Sequence, residues 1–154
     1  MNYILITPVK NEEENLPKLA ECIVNQTILP KAWIIIDDSS DDRTPEIIKE
    51  LSSHHPWIHW REFHDGKFSP MKRDIHFAKV VKTGFDHAEH ICAEREIPYQ
   101  YIAKVDADIL MPPDYFEKLI GKFEQNPRLG AAGGNAGGLP KLMTDMPHGG
   151  IYFV

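Results

Sequence analysis

Short apolar runs of strand length, separated by segments of helical periodicity, constrain this chain more than any other feature. Tyr3 to Thr7 (YILIT), Trp33 to Ile36 (WIII) and Tyr101 to Val105 (YIAKV) are too short for core helices. They are also too continuously apolar for strands with one wet face, so each reads as a buried strand. Trp57 to Phe63 alternates less cleanly but is β-prone, and Leu129 to Ala132 is a fifth strand candidate. Between the runs, apolar residues recur at helical spacing: Leu16, Leu19, Ala20, Ile23 and Val24, then Ile47, Ile48 and Leu51. Phe77, Ala78, Val81, Phe85, Ala88 and Cys92 form a third stripe, and Phe116, Leu119, Ile120 and Phe123 a fourth. Alternation of this kind predicts an α/β fold, a mostly parallel sheet with helices on both faces.

Local signals place the helix ends. The acidic segment Asn11 to Asn15 suits the positive N-terminal end of a first helix, with Pro17 tolerated in its first turn. Thr44-Pro45-Glu46 is a start signal for the second. His64 to Arg73, polar and broken by Gly66 and Pro70, reads as a loop. Asp114 followed by Glu117 reads as a capping pair for the last helix.

The 154 residues suffice for one domain, and 42% hydrophobic with 26% charged residues is an ordinary globular composition. Seventeen basic against 23 acidic residues give a net charge of −6, the wrong sign for a surface that binds nucleic acid. Cys22 and Cys92 are too few and too far apart for a disulfide framework, so reduced thiols in a cytoplasmic protein are expected. No stretch approaches the ~20 apolar residues of a membrane span, and no signal peptide is evident. The expected setting is cytoplasmic, at most peripheral to a membrane.

Two of the apolar runs end abruptly on carboxylates. Tyr101 to Val105 leads into Asp106-Ala107-Asp108, and Trp33 to Ile36 into Asp37-Asp38-Ser39-Ser40-Asp41-Asp42. In parallel sheets, ligands bind beyond the carboxyl ends of the strands, where these acids fall. Asp106 and Asp108 can turn to one mouth and converge on one hard cation. A metal held by so few carboxylates takes its other ligands from substrate phosphates. Asp41 and Asp42 suit a turn-capping role, which is also open to Asp37 and Asp38. The segment TPVKNEEE after the first run is no glycine-rich dinucleotide fingerprint, which excludes a nicotinamide or flavin enzyme of the usual kind. The absence of a Cys/His cluster speaks against zinc.

Three blocks in order, TPVKNEEENLPKL, NQTILPKAWIIIDDSSDDRTPEII and AKVDADILMPPDYFEKL, resemble the family 2 glycosyltransferases of GT-A fold. The resemblance implies a nucleoside-diphosphate-sugar donor held at the carboxyl edge of the sheet, with an acceptor that is a sugar, lipid or polysaccharide. It places Pro8 and Glu12 in the first loop, against the nucleoside. Asp38 matches the carboxylate that accepts a hydrogen bond from the base, and Asp106 a position near ribose and metal. Asp108 matches the direct ligand of Mg²⁺ or Mn²⁺. It further implies inversion at the anomeric carbon, and a general base for the acceptor in residues beyond Val154, so that 1–154 form the donor-binding part.

The chain departs from the family pattern at Lys10, where an aromatic residue commonly packs on the base; Lys10 can instead reach a phosphate. Val81 and Lys82 replace an Arg-Asn pair, leaving Lys72, Arg73, Lys79 or Lys82 as cations for the diphosphate. Asp145 and His148 have no spacing that marks them as a base. Alternatives to the transferase are a donor-fold binding protein without turnover and a nucleotidyltransferase. The latter should carry a basic, glycine-rich first loop where this chain has NEEE. A phospho-acceptor signalling domain would carry its acid pair after the first strand, not after the second and fourth.

Overall fold

A computed structural model describes residues 2–65, 73–133 and 151–153. Five strands form one sheet in the order β3-β2-β1-β4-β5, with β1 at Tyr3–Val9, β2 at Ala32–Asp37, β3 at Ile58–Glu62, β4 at Tyr101–Val105 and β5 at Ile151–Phe153. The first four are parallel, and β5 pairs antiparallel with β4. Helices α1 (Leu16–Val24), α2 (Thr44–His54), α3 (Arg73–Glu94) and α4 (Tyr115–Gln125) connect them.

Side-chain alternation divides the core in two. Tyr3, Leu5, Trp33, Ile35, Ala103 and Val105 face one way and are covered by Leu16, Leu19, Ile23, Ile48, Phe116 and Ile120 of α1, α2 and α4. Ile4, Ile6, Ile34 and Ile36 face the other way, onto Val80, Ala88 and Cys92 of α3. Burial of Cys92 raises its thiol pKa and fits the expected reduced cysteine, and Cys22 is also free. The α3 contact is close because Gly84 lies on it. A Cβ there would stand 2.6 Å from Ile6 Cγ2 and 3.3 Å from Ile36 Cγ1. The working stripe of α3 is therefore Val80, Gly84, Ala88 and Cys92 with Phe85 packed against it; of the expected stripe Phe85, Ala88 and Cys92 hold, whereas Phe77 and Ala78 are exposed.

Three local expectations are revised. Helix α1 starts at Leu16, with Pro17 in its first turn, and carries no acid there. Glu12, Glu13 and Glu14 belong to the preceding loop. Asp114 holds the N-cap position of α4 without a side-chain cap: its carboxylate pairs with Lys118 at 2.6 Å, and Glu117 accepts from the Thr27 hydroxyl at 2.9 Å. Leu129 to Ala132 forms no strand beyond a single bridge at Ala132, and the fifth strand is β5.

The chain passes from β1 to β2 to β3 on one side, then returns to place β4 on the other side of β1. That reversal makes the β1/β4 boundary the switch point of the sheet. The β1–β4 ladder runs only to Ile6 opposite Lys104, whereas β1 stays paired with β2 as far as Val9 opposite Asp37. Past Ile6 the two strands diverge. Pro8 lies in this stretch: Val9 accepts from the Asp38 amide on the β2 side, so Pro8 turns its nitrogen to the vacated β4 side. A residue without an N–H belongs where no ladder bond is asked of it.

Candidate functional site

Divergence of β1 and β4 opens a cleft of about 730 Å³ lined by Pro8, Val9, Lys10, Glu12, Asp38, His76, Phe77, Val80, Asp106 and Asp108. All six residues singled out in the sequence, Pro8, Lys10, Glu12, Asp38, Asp106 and Asp108, meet in it. Register explains this convergence. Pairing of Val9 with Asp37 sets the β1 and β2 loops side by side, and β4 delivers Asp106 and Asp108 across the gap.

Backbone donors lock the first two loops together. The amides of Asn11, Glu12 and Glu13 donate to Ser40 Oγ (2.9 Å), Thr44 Oγ1 (2.8 Å) and Asp42 Oδ2 (3.1 Å). The Asp41 and Arg43 amides answer by donating to Asn11 Oδ1 and Glu13 Oε2. Asp37 and Asp42 perform the turn-capping job, accepting from the amides of Ser40 and Thr44. Slight burial pushes the Asp42 carboxyl up, but the Thr44 and Glu13 donors outweigh it and hold the pKa below the ordinary range. Glu12 accepts from Asn15 Nδ2 at 2.8 Å while its carboxylate borders the cleft.

Asp38 is nearly buried and heavily engaged. His76 Nε2 lies 2.8 Å from both of its carboxylate oxygens, and Lys10 Nζ donates to its backbone carbonyl at 2.9 Å. The imidazole is itself held from behind, with Asp65 Oδ2 at 3.6 Å from Nδ1 and the Phe63 ring set edge-on. Sequence reasoning missed His76. It follows a polar loop and sits in the first turn of α3, and only its place beside Phe77 on the expected inner stripe set it apart. Of the cations expected to serve a diphosphate, Lys79 pairs with Asp65 at 2.8 Å and Lys82 with Asp86 at 2.6 Å. Both are exposed and spent on surface pairs. Lys72 and the side chain of Arg73 lie outside the described residues, as do Asp145 and His148.

The two carboxylates after β4 differ. Asp106 is partly buried and pairs with Lys104, a second residue missed in the sequence. Burial raises the pKa of the Asp106 carboxyl; Lys104 opposes the shift, Asp108 adds to it, and the net shift is upward. Asp108 is exposed and carries no hydrogen bond or ion pair among the described residues. No group of three or more His, Cys, Asp or Glu side chains among the described residues makes a cation cage. A cleft that offers one or two hard oxygens, with open space beside them, fits Mg²⁺ or Mn²⁺ completed by phosphate and water. It does not fit a cation that needs a full protein cage.

A parallel α/β domain with an acid-lined cleft at its switch point is the class that the fold and site define. The model of glycosyl transferase family 2 matches residues 4–148, and the chain belongs to that family. It is 30% identical over 125 residues to the poly-beta-1,6-N-acetyl-D-glucosamine synthase of Staphylococcus epidermidis, covering 81% of this chain and 26% of the synthase. To the undecaprenyl-phosphate 4-deoxy-4-formamido-L-arabinose transferase of Pectobacterium atrosepticum it is 27% identical, covering 77% of this chain and 32% of the transferase. The chain thus spans about a quarter to a third of the length of these relatives.

Among solved structures, the mannosyltransferase PcManGT of Pyrobaculum calidifontis, in complex with GDP-Man and Mn²⁺, superposes with a TM-score of 0.69 at 18% identity. The match covers 99% of this chain and 44% of that one. S. aureus TarS 1–349, in complex with UDP-GlcNAc, gives 0.59 at 16% identity, over 92% of this chain and 37% of TarS. These likenesses establish the GT-A fold. No helix among the described residues is long and apolar enough to cross a membrane.

Proposed function

We propose that the cleft binds a nucleoside-diphosphate sugar, and that the protein transfers the sugar to an acceptor hydroxyl with help from Mg²⁺ or Mn²⁺. The observation that carries this reading is the meeting of Asp38, Asp106 and Asp108 at one switch-point cleft, in a chain of glycosyl transferase family 2. Pro8, Lys10 and Glu12 form the nucleoside wall. Asp38 accepts from an N–H of the base through Oδ1, where His76 occupies one lone pair and leaves the second available, while Oδ2 is shared by His76 and Lys10. Asp106 stands toward the ribose and the metal, and Asp108 offers the most open oxygens to a divalent ion. When bound, such an ion supplies Lewis-acid stabilisation of the diphosphate leaving group.

In the transfer, the bond from the anomeric carbon to the phosphate oxygen breaks and a bond to the acceptor oxygen forms, with inversion. The acceptor's proton leaves to a base, a role we assign to none of the cleft carboxylates. The complexes of TarS with UDP-GlcNAc and of PcManGT with GDP-Man and Mn²⁺ support this donor class. Residues 1–154 would then serve as the donor-binding part, acting on a sugar, lipid or polysaccharide acceptor.

Isothermal titration of the protein with UDP and with GDP, each with and without Mn²⁺, tests the reading. Binding of at least one of them, strengthened by Mn²⁺, is expected. No metal-enhanced binding of either would sink it.

A further inference from the structure

A buried lysine lies beside the carboxylates that follow β4. Lys104 sits in β4, in register with Ile6 of β1, and its side chain is 5% exposed. It points to the same side of the sheet as the isoleucines beneath α3, where an aliphatic residue would be expected. Its ammonium pairs with Asp106 and lies 5.1 Å from the centroid of the Phe77 ring, which is half-exposed at the cleft. Burying an ammonium is costly unless it is paired, and a half-buried carboxylate has the mirror-image need. The sequence thus sets a fixed positive charge two residues before Asp106.

Its electrostatic consequence concerns any cation that enters the cleft. Of the four cleft carboxylates, Asp38 is engaged by His76 and, at 3.4 Å, by Lys10, Glu12 by Asn15, and Asp106 by Lys104. Asp108 has no such partner among the described residues. A divalent ion approaching without nucleotide meets this carboxylate and, beside it at Asp106, the lysine charge. Approaching with a diphosphate, it meets added negative charge that both it and Lys104 can share.

We propose that Lys104 is a positioning residue that withholds Asp106 from divalent ions until a diphosphate is present, making metal binding conditional on nucleotide. This rests on the donor-site reading above. In the absence of nucleotide the ammonium anchors Asp106 against β4. In its presence the same charge favours the diphosphate, so Mn²⁺ and nucleotide bind with strong positive coupling.

The test compares the wild type with Lys104→Met, Lys104→Gln and Lys104→Arg. Met and Gln keep the buried aliphatic stem without the charge, and Gln keeps a donor for Asp106 should Met fail to fold. Circular dichroism establishes folding. Mn²⁺ affinity is read from the free-ion EPR signal, alone and with UDP or GDP. Both neutral variants should bind nucleotide-free Mn²⁺ more tightly, by about tenfold or more for Met, as removal of an adjacent unit charge implies. They should bind metal-free nucleotide more weakly, and the Mn²⁺–nucleotide coupling should shrink accordingly. Lys104→Arg should behave as the wild type.

A folded neutral variant with unchanged or weaker nucleotide-free Mn²⁺ affinity would overturn the proposal and leave Lys104 a structural ion pair. If the wild type binds neither nucleotide with Mn²⁺, the donor-site reading itself fails. The nucleotide-free comparison still judges Lys104 on its own.

Discussion

Placing a methyl group at residue 84 tests how closely α3 is seated on the sheet. The Cβ of an alanine replacing Gly84 would lie 2.6 Å from Ile6 Cγ2, whereas carbon atoms pack at about 3.5–4.0 Å. A displacement of roughly 1 Å is therefore required. Ile6 is fully buried, and its Cγ2 branches directly from a strand-locked Cβ, so it cannot swing aside like the tip of a long side chain. Ile36 Cγ1 at 3.3 Å blocks the alternative shift. Overpacking of this severity costs about 2–3 kcal/mol, and replacing a helical glycine by alanine returns about 1.

The net expectation for Gly84→Ala is a loss of about 1–2 kcal/mol, or roughly 2–8 °C in Tm for a domain of this size. Urea unfolding followed by far-UV circular dichroism measures it, with the midpoint falling at an unchanged slope. His76 lies two helical turns N-terminal to Gly84 on α3, so displacement of the helix should also loosen the contact with Asp38 and weaken UDP or GDP binding. A variant as stable as the wild type, or more so, would refute the packing argument. Helix propensity would then outweigh any clash.

Asp108→Ala should remove the Mn²⁺-dependent part of nucleotide binding in titration calorimetry. It should leave stability within about 0.5 kcal/mol, because the side chain is exposed and unpaired among the described residues. Asp38→Ala should weaken UDP and GDP more than pyrophosphate, and equal losses for all three would remove Asp38 from the base contact. Thr7→Val deletes the acceptor 2.9 Å from the buried Trp33 Nε1 and should cost about 1–3 kcal/mol in urea unfolding. Burial lowers the pKa of His59 and of His87, aided by Arg95 and His87 for the first and by Arg61 and His90 for the second. The folded state then binds these protons less readily than the unfolded one. Their contribution to stability is present above the ordinary histidine pKa of 6.5 and is lost as pH falls below it. The unfolding midpoint should drop from pH 7 to pH 5, and a His59→Gln/His87→Gln double variant should drop less.

Strands β1, β2 and β4 were legible because a strand covered on both faces needs a continuous apolar run; β4 matches its sequence limits, Tyr101 to Val105. The paired acids were legible for the complementary reason, as charge set abruptly against apolar sequence. What escaped depended on packing and on partner choice that local patterns do not encode. Glu117 and Asp114 fit a local capping pattern, but Thr27, ninety residues away, and Lys118 claim them instead. The N-terminal part of the inner face of α3 was misread because Phe77 outranks Gly84 in hydrophobicity, while the close approach to Ile6 needs the smaller residue. His76 was silent because its partner Asp38 is 38 residues away. Lys104 drew no notice inside an otherwise apolar strand, because its burial and its turn toward Asp106 depend on the sheet face beneath α3.

Pro8 at the divergence of β1 from β4 has a bearing on assembly as well as on ligand binding. A strand that continues beyond its neighbour presents a short open edge, and such edges recruit foreign strands into a sheet. With proline at the residue that faces the gap, this edge lacks the amide donor that an incoming strand would pair with there. The cleft can therefore stay open as a place for a small ligand without also serving as a site for strand addition by another polypeptide.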